Sequence, residues 1–254
     1  MATTPKGFAK AIIVLTTVTA AVMELIDTSI VNVALSEMGG SLGVNIEDVS
    51  WVITAYAIAN VIIIPLTGFL ASYFGRKNYY IVSMIIFTAA SYMCGQSNTL
   101  IELILWRFVQ GIGGGALLST SQSILFDAFE PKDRPIAAGL FGMGIVLGPT
   151  LGPTLGGYII DHSSWPLIFM INIPVGIFAT LLTFYFVEKK PDEGKNKAII
   201  LITDGEDHEP DAIKMAEDAA EKQIMVNTIG VGSEAGVPIP EYKGGFPSGY
   251  KKDR

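Results

Sequence analysis

Cysteine is almost missing from this chain: Cys94 stands alone among 254 residues. A single cysteine makes no internal disulfide and no dithiol couple, so redox chemistry is not implied. Histidine is nearly as scarce, with His162 and His208 its whole complement. No zinc-ligand spacing, nucleotide-binding glycine loop or nucleophile triad occurs, which points away from an enzyme and from a bound cofactor. Charge is sparse as well, at 16% of residues, and the net charge of −7 excludes a basic nucleic-acid surface.

What fills the chain instead is apolar. Half of the residues are hydrophobic and the mean hydropathy is +0.46, beyond the range of an ordinary soluble domain. A hydrocarbon core about 30 Å thick needs about 20 apolar residues per helix. Six such stretches are predicted, over residues 10–34, 50–71, 79–97, 100–125, 136–160 and 165–187. The first is too long for a cleaved signal peptide and carries Glu24 and Asp27 inside it.

Basic residues fall only on alternate connections. Lys6 and Lys10, then Arg76 and Lys77, then Lys132 and Arg134, then Lys189 and Lys190 flank the spans, while the intervening loops hold Glu37, Glu47, Asp48 and Asp161. Lys and Arg resist translocation, so this alternation predicts a multi-pass protein of the inner (plasma) membrane with both termini cytoplasmic.

Three charges lie inside the spans. Glu24 and Asp27 are three residues apart and share a helix face. Asp27 is 17 residues from Lys10, about 25 Å along a helix at 1.5 Å per residue. Arg107 lies in the outer half of the fourth span, so it can meet either acid. A charge in the bilayer costs about 2.5–3.5 kcal/mol and normally faces a partner or a water-filled path. The fifth span places Gly144, Gly148, Gly152 and Gly156 four apart, a smooth ridge against which a second helix packs closely. Pro149 and Pro153 are expected within that ridge, kinking it.

At this point the chain resembles a family. The stretches 25–35 (LIDTSIVNVAL), 68–77 (GFLASYFGRK), 106–115 (WRFVQGIGGG) and 144–157 (GIVLGPTLGPTLGG) look like four motifs of the major facilitator superfamily. More narrowly they resemble its fourteen-span drug:proton antiporter branch, with 51–56 (WVITAY) and 169–176 (FMINIPVG) in support. The resemblance covers about residues 8–187 and implies the amino-terminal half of that fold. It implies Asp27 and Arg107 as proton-coupling residues. It also implies Gly144, Gly148, Pro149, Gly152, Gly156 and Gly157 as the antiporter motif, and Gly68, Gly75, Arg76 and Lys77 as a cytoplasmic latch. Glu24 joins the proton-coupling group on its position beside Asp27 alone. The loop motif departs from the family at Ser72 and Tyr73, where the family has an acidic and often a basic residue.

The composition changes near Glu188. A polar linker over 188–196 leads into a run, 197–203 (KAIILIT), that reads as a buried strand. Residues 210–224 read as an amphipathic helix and 225–231 (MVNTIGV) as a second strand, together one βαβ unit. The stretches 200–209 (ILITDGEDHE) and 227–233 (NTIGVGS) resemble a fragment of a von Willebrand factor A domain. That resemblance implies Asp204 as a weak metal-site candidate, without the serine loop a complete site needs. Residues 242–254 are expected to be a disordered tail.

The expected architecture is therefore an all-α membrane protein of six spans over 1–187, a linker, a small incomplete α/β segment over 197–241 and a tail. The expected function is proton-coupled efflux of drug-like small molecules, encoded as an amino-terminal half. The expected partners are the lipid bilayer, protons, and a second copy or a carboxyl-terminal half that would shield Arg107 from lipid. A membrane-anchored von Willebrand factor A-type binding module and an inactive fusion of two gene fragments are the alternatives.

Overall fold

The computed structural model describes residues 7–188, and the backbone of residues 198–203, 225–230, 240–243 and 246–250. The chain divides into two units, Met1–Asp192 and Glu193–Arg254.

The first unit is a helical bundle. Its elements are α1 (Phe8–Leu42), a one-turn α2 (Ile46–Val49), α3 (Trp51–Phe74), α4 (Arg76–Gln96), α5 (Leu100–Asp127), a 3-10 turn (Pro131–Asp133), α6 (Arg134–His162), a one-turn α7 (Leu167–Met170) and α8 (Asn172–Phe186). Local chemistry sets the ends. Gly43 closes α1 in the left-handed conformation with φ 69°, which glycine adopts without a Cβ penalty. Thr99 caps α5 by accepting from the Glu102 N–H, and the Glu102 carboxylate reaches back to the Asn98 N–H at 3.1 Å. The final span is split at Ile171 rather than continuous over 165–187. Pro174 has no N–H to offer the Met170 carbonyl, so the helix restarts at Asn172.

Among the described residues, five helical segments are long and apolar enough to cross a membrane: Phe8–Leu42, Ile46–Phe74, Leu100–Asp127, Pro131–His162 and Leu167–Phe186. The count is one short of the six expected. The stretch expected at 79–97 is α4, long enough at 21 residues but less apolar. Its inner face carries the reason: Tyr79, Tyr80, Ser83, Thr88 and Ser91 are all buried within the bundle. Polar atoms there are satisfied internally, as in the Tyr80–Ser121 hydroxyl contact at 2.7 Å and the Thr88 bond to the Met84 carbonyl.

Helix α1 packs along α6 and also against α5 and α8, while α5 packs against α3 and α4. The surface is apolar where lipid would lie: Val61, Ile64, Ile101, Leu105, Val146 and Phe184 are exposed. Exposed apolar side chains in such number, on helices of this length, fit a membrane-facing protein. The basic residues gather at one end. Lys10 lies 3.9 Å from the centre of the Phe129 ring, Arg76 pairs with Asp127, and Lys77 donates to the Phe184 carbonyl at 2.7 Å.

In the second unit, β1 (Ala198–Thr203) pairs in parallel with β2 (Met225–Gly230), Ala198 opposite Met225. The helix expected between them lies outside the described residues. An antiparallel pair, β3 (Pro240–Lys243) and β4 (Phe246–Tyr250), runs into the tail over 242–254 expected to be disordered. The sequence Gly244-Gly245, between Tyr242-Lys243 and Phe246, is a hairpin signal.

Candidate functional site

Asp27 sits midway along α1, where it is completely buried. Arg107 of α5 is 1% exposed and donates from Nη1 to Asp27 Oδ2 at 2.6 Å. The other carboxylate oxygen, Oδ1, accepts from Gln110 Nε2 at 2.9 Å and from Asn172 Nδ2 at 2.6 Å. Three N–H donors, one each from Arg107, Gln110 and Asn172, thus converge on the Asp27 carboxylate. Arg107 is held as firmly. Its Nη1 also meets Gln110 Oε1 at 2.7 Å, and its Nε meets the Val52 carbonyl at 3.4 Å. Its guanidinium lies over the Tyr56 ring at 4.3 Å and the Phe169 ring at 5.6 Å. Ser91 of α4 closes the network, its hydroxyl accepting from Gln110 and Asn172.

Five helices thus meet at one ion pair. The expectation that half a transporter would bare Arg107 to lipid is overturned, because α1, α3, α4, α5 and α8 enclose it by themselves. The expected choice between the two acids is also resolved. Glu24 does not pair with Arg107; its Oε1 accepts from the Tyr56 hydroxyl of α3 at 3.0 Å. Glu24 is 6% exposed, and its Oε2 has no hydrogen-bond partner among the described residues.

The glycine ridge of α6 packs on the helix that carries both acids. A Cβ at Gly144 would stand 2.9 Å from Val18 Cγ1, one at Gly148 2.5 Å from Leu25 Cβ, and one at Gly156 2.8 Å from Ile30 Cγ1. Gly157 is different, since nothing lies within 4 Å of its Cβ position. Pro149 and Pro153 are not in the ridge; both are exposed, one position round the helix from it. Steps of about 100° per residue turn a ridge neighbour outward.

At the basic end, Gly75 is the whole connection between α3 and α4 and has φ 81°. Arg76 pairs with Asp127, at the last turn of α5. Lys77 meets the carbonyl end of α8, where a cation is favoured. Gly68 is exposed and has open space around it. The Ser72 hydroxyl bonds only locally, to the Phe69 carbonyl. The acid that Arg76 meets is Asp127 of α5, which sequence reasoning passed over.

Gln110, Ser91, Asn172 and Tyr56 were also missed as site residues. A signal existed for Gln110, three residues from Arg107 and so on its face. Asn172 was visible as a polar residue inside 169–176 without an assigned partner. Asp204 lies outside the described residues. Among the described residues, no cluster of His, Cys, Asp and Glu has metal-binding geometry.

The sequence pattern of the Major Facilitator Superfamily matches residues 17–222. The chain is 41% identical over 161 residues to the multidrug export protein EmrB of Escherichia coli K12, a match covering 63% of this chain and 31% of that protein. It is 40% identical over 179 residues to the fatty acid resistance protein FarB of Neisseria gonorrhoeae, covering 70% of this chain and 35% of the relative. The chain therefore spans about a third of the length of these relatives. The fold is similar to that of a bacterial homologue of the human lysosomal transporter Spinster in an inward-facing, unoccupied conformation. That likeness has a TM-score of 0.63 at 19% identity and covers 74% of this chain and 45% of the other.

Proposed function

The chain belongs to the Major Facilitator Superfamily, a family of transporters rather than enzymes, and from that premise we propose that it forms the amino-terminal bundle of a proton-coupled exporter of drug-like small molecules. The observation that carries this reading is the enclosed Asp27–Arg107 pair at the meeting of five helices. Buried ionisable residues within membrane spans mark substrate or proton paths. The names of the relatives, a multidrug exporter and a fatty acid resistance protein, support an amphipathic substrate.

In this reading α4 also crosses the membrane, as the third of six spans, and the end holding Lys10, Arg76, Lys77 and Lys132 faces the cytoplasm. Asp27, Arg107 and Glu24 handle the proton. Gly144, Gly148, Gly152 and Gly156 hold α6 on α1, while Pro149, Pro153 and Gly157 shape its outward side. Gly68, Gly75, Arg76 and Lys77 form the cytoplasmic latch, with Asp127 as its acid. A substrate cavity at the midplane needs a second bundle, supplied by a carboxyl-terminal half or a second copy of the chain.

The test is efflux of a cationic dye from cells expressing the chain, with and without a protonophore. Proton-dependent efflux that Arg107→Ala and Asp27→Asn abolish supports the reading. Efflux that survives both substitutions removes the site from the mechanism. A second reading attaches to residues 197–241. The parallel pairing of β1 and β2 is the arrangement a βαβ unit requires, and it supports a von Willebrand factor A-like module anchored by the membrane unit.

A further inference from the structure

Two carboxyl groups share one face of α1 and one cation faces them, so the buried cluster holds an acid in excess. The two acids are treated very differently. Asp27 has the ion pair with Arg107 and two further donors on Oδ1. Glu24 has a single donor, the Tyr56 hydroxyl, and a bare Oε2. A second buried acceptor lies close by in the chain: Asn60 Oδ1, one turn beyond Tyr56 on α3, also has no hydrogen-bond partner among the described residues. Gly114 faces the Tyr56 hydroxyl and Gly115 faces Asn60 Oδ1, so the glycines of α5 are what leave room for these two polar side chains. The Glu24 carboxyl is short of donors. An anion with a bare oxygen in an apolar bundle is costly, whereas one added proton supplies the missing donor and removes the excess charge.

We propose that Glu24 is the proton-carrying carboxyl of this bundle, while Asp27 stays ionised as the fixed counter-charge of Arg107. The proton resides on Glu24 Oε2, and the Tyr56 hydroxyl donates to the carbonyl oxygen Oε1. The groups that face Glu24 are Asp27 on its own helix, Tyr56 on α3 and Arg107 on α5. Helices α6 and α8, also packed on α1, carry no charged side chain over residues 135–160 and 172–186. When the bundle opens and water reaches the bare oxygen, the proton leaves Glu24 without breaking the Asp27–Arg107 pair that ties five helices together. The use of this proton in exchange rests on the transport reading above; its presence does not, and the test reads the proton directly.

The experiment is infrared difference spectroscopy of the purified chain in lipid after a jump to alkaline pH. The wild-type chain is compared with chains carrying ¹³C-carboxyl glutamate or ¹³C-carboxyl aspartate. The expected result is loss of a protonated carboxylic C=O band that moves to lower frequency with labelled glutamate and stays put with labelled aspartate. The band is absent in Glu24→Gln. In Tyr56→Phe it moves to higher frequency, because the carbonyl loses its hydrogen bond. A band that moves with labelled aspartate places the proton on Asp27 and overturns the proposal. So does a glutamate band indifferent to both Glu24→Gln and Tyr56→Phe, and so does the absence of any protonated carboxyl band. Labelling needs no substitution, so a variant that fails to fold leaves the question answerable. If efflux fails while the Glu24 band is present, the transport reading falls and the proton site stands.

Discussion

Gly152 of α6 lies against the Ser29 hydroxyl of α1 so closely that no side-chain carbon fits between them. Ser29 is two residues from Asp27, so the glycine ridge fixes the distance between α6 and the acid-bearing helix. Replacement of Gly148 or Gly152 by alanine is expected to force α1 and α6 apart, costing about 1–3 kcal/mol by overpacking. Gly157→Ala, into open space, is expected to leave stability unchanged. Thermal unfolding of the three variants in one detergent is the check. Equal losses at Gly157 and Gly152 would remove the ridge as the cause.

The Asp27–Arg107 pair predicts a specific non-additivity. Asp27→Asn alone leaves a buried guanidinium without its counter-charge, and breaking a buried pair in this way costs about 3–5 kcal/mol. The double variant Asp27→Asn/Arg107→Gln removes both charges and is expected to be more stable than Asp27→Asn. Denaturant unfolding of the two variants and the parent measures this. A double variant as damaged as the sum of its single changes would show that the pair is not a unit.

Gly75 joins α3 to α4 at φ 81°, with open space around its Cβ position. Gly75→Ala is therefore expected to act through backbone strain alone, of order 1–3 kcal/mol. Gly68→Ala, inside α3 and equally unhindered, is expected to be neutral or mildly stabilising. The two variants, compared by thermal unfolding, separate conformational demand from crowding.

Arg76 and Asp127 are 31% and 24% exposed. Solvent screens such a pair, so Asp127→Asn is expected to cost no more than about 1 kcal/mol in stability. If the pair belongs to the latch, dye efflux falls in Asp127→Asn while the unfolding temperature hardly moves. Efflux equal to the parent's would leave the pair a purely structural clasp.

Much of this arrangement could be read from the residues. Asp27, Glu24 and Arg107 stood out because a charge within an apolar run is costly enough to need a reason, and helical rise put the three at compatible depths. What depth could not decide was which acid takes the arginine. That choice depends on Tyr56, whose hydroxyl engages Glu24 and whose ring lies under Arg107, a contact between residues 32 positions apart. The glycine spacing forecast a close helix contact but not its partner, since a ridge has no chemistry that names its neighbour. The prolines were misplaced because Pro149 and Pro153 adjoin ridge glycines in sequence while facing another way. Helix α4 is less apolar than its neighbours for the same reason Ser91 was overlooked: an uncharged polar side chain looks like weak membrane character until the network it serves is visible.

The one-residue elbow at Gly75 has a mechanical consequence. Two long helices joined by a single residue have no slack, so a tilt in α3 reaches α4 as a lever arm rather than being absorbed by a loop. Helix α4 carries Ser91, a member of the Asp27–Arg107 network, roughly 20 Å further along its axis at 1.5 Å per residue. Movement at the basic end is thereby geared to the polar centre, and a small rotation at Gly75 becomes a lateral displacement where the charges sit.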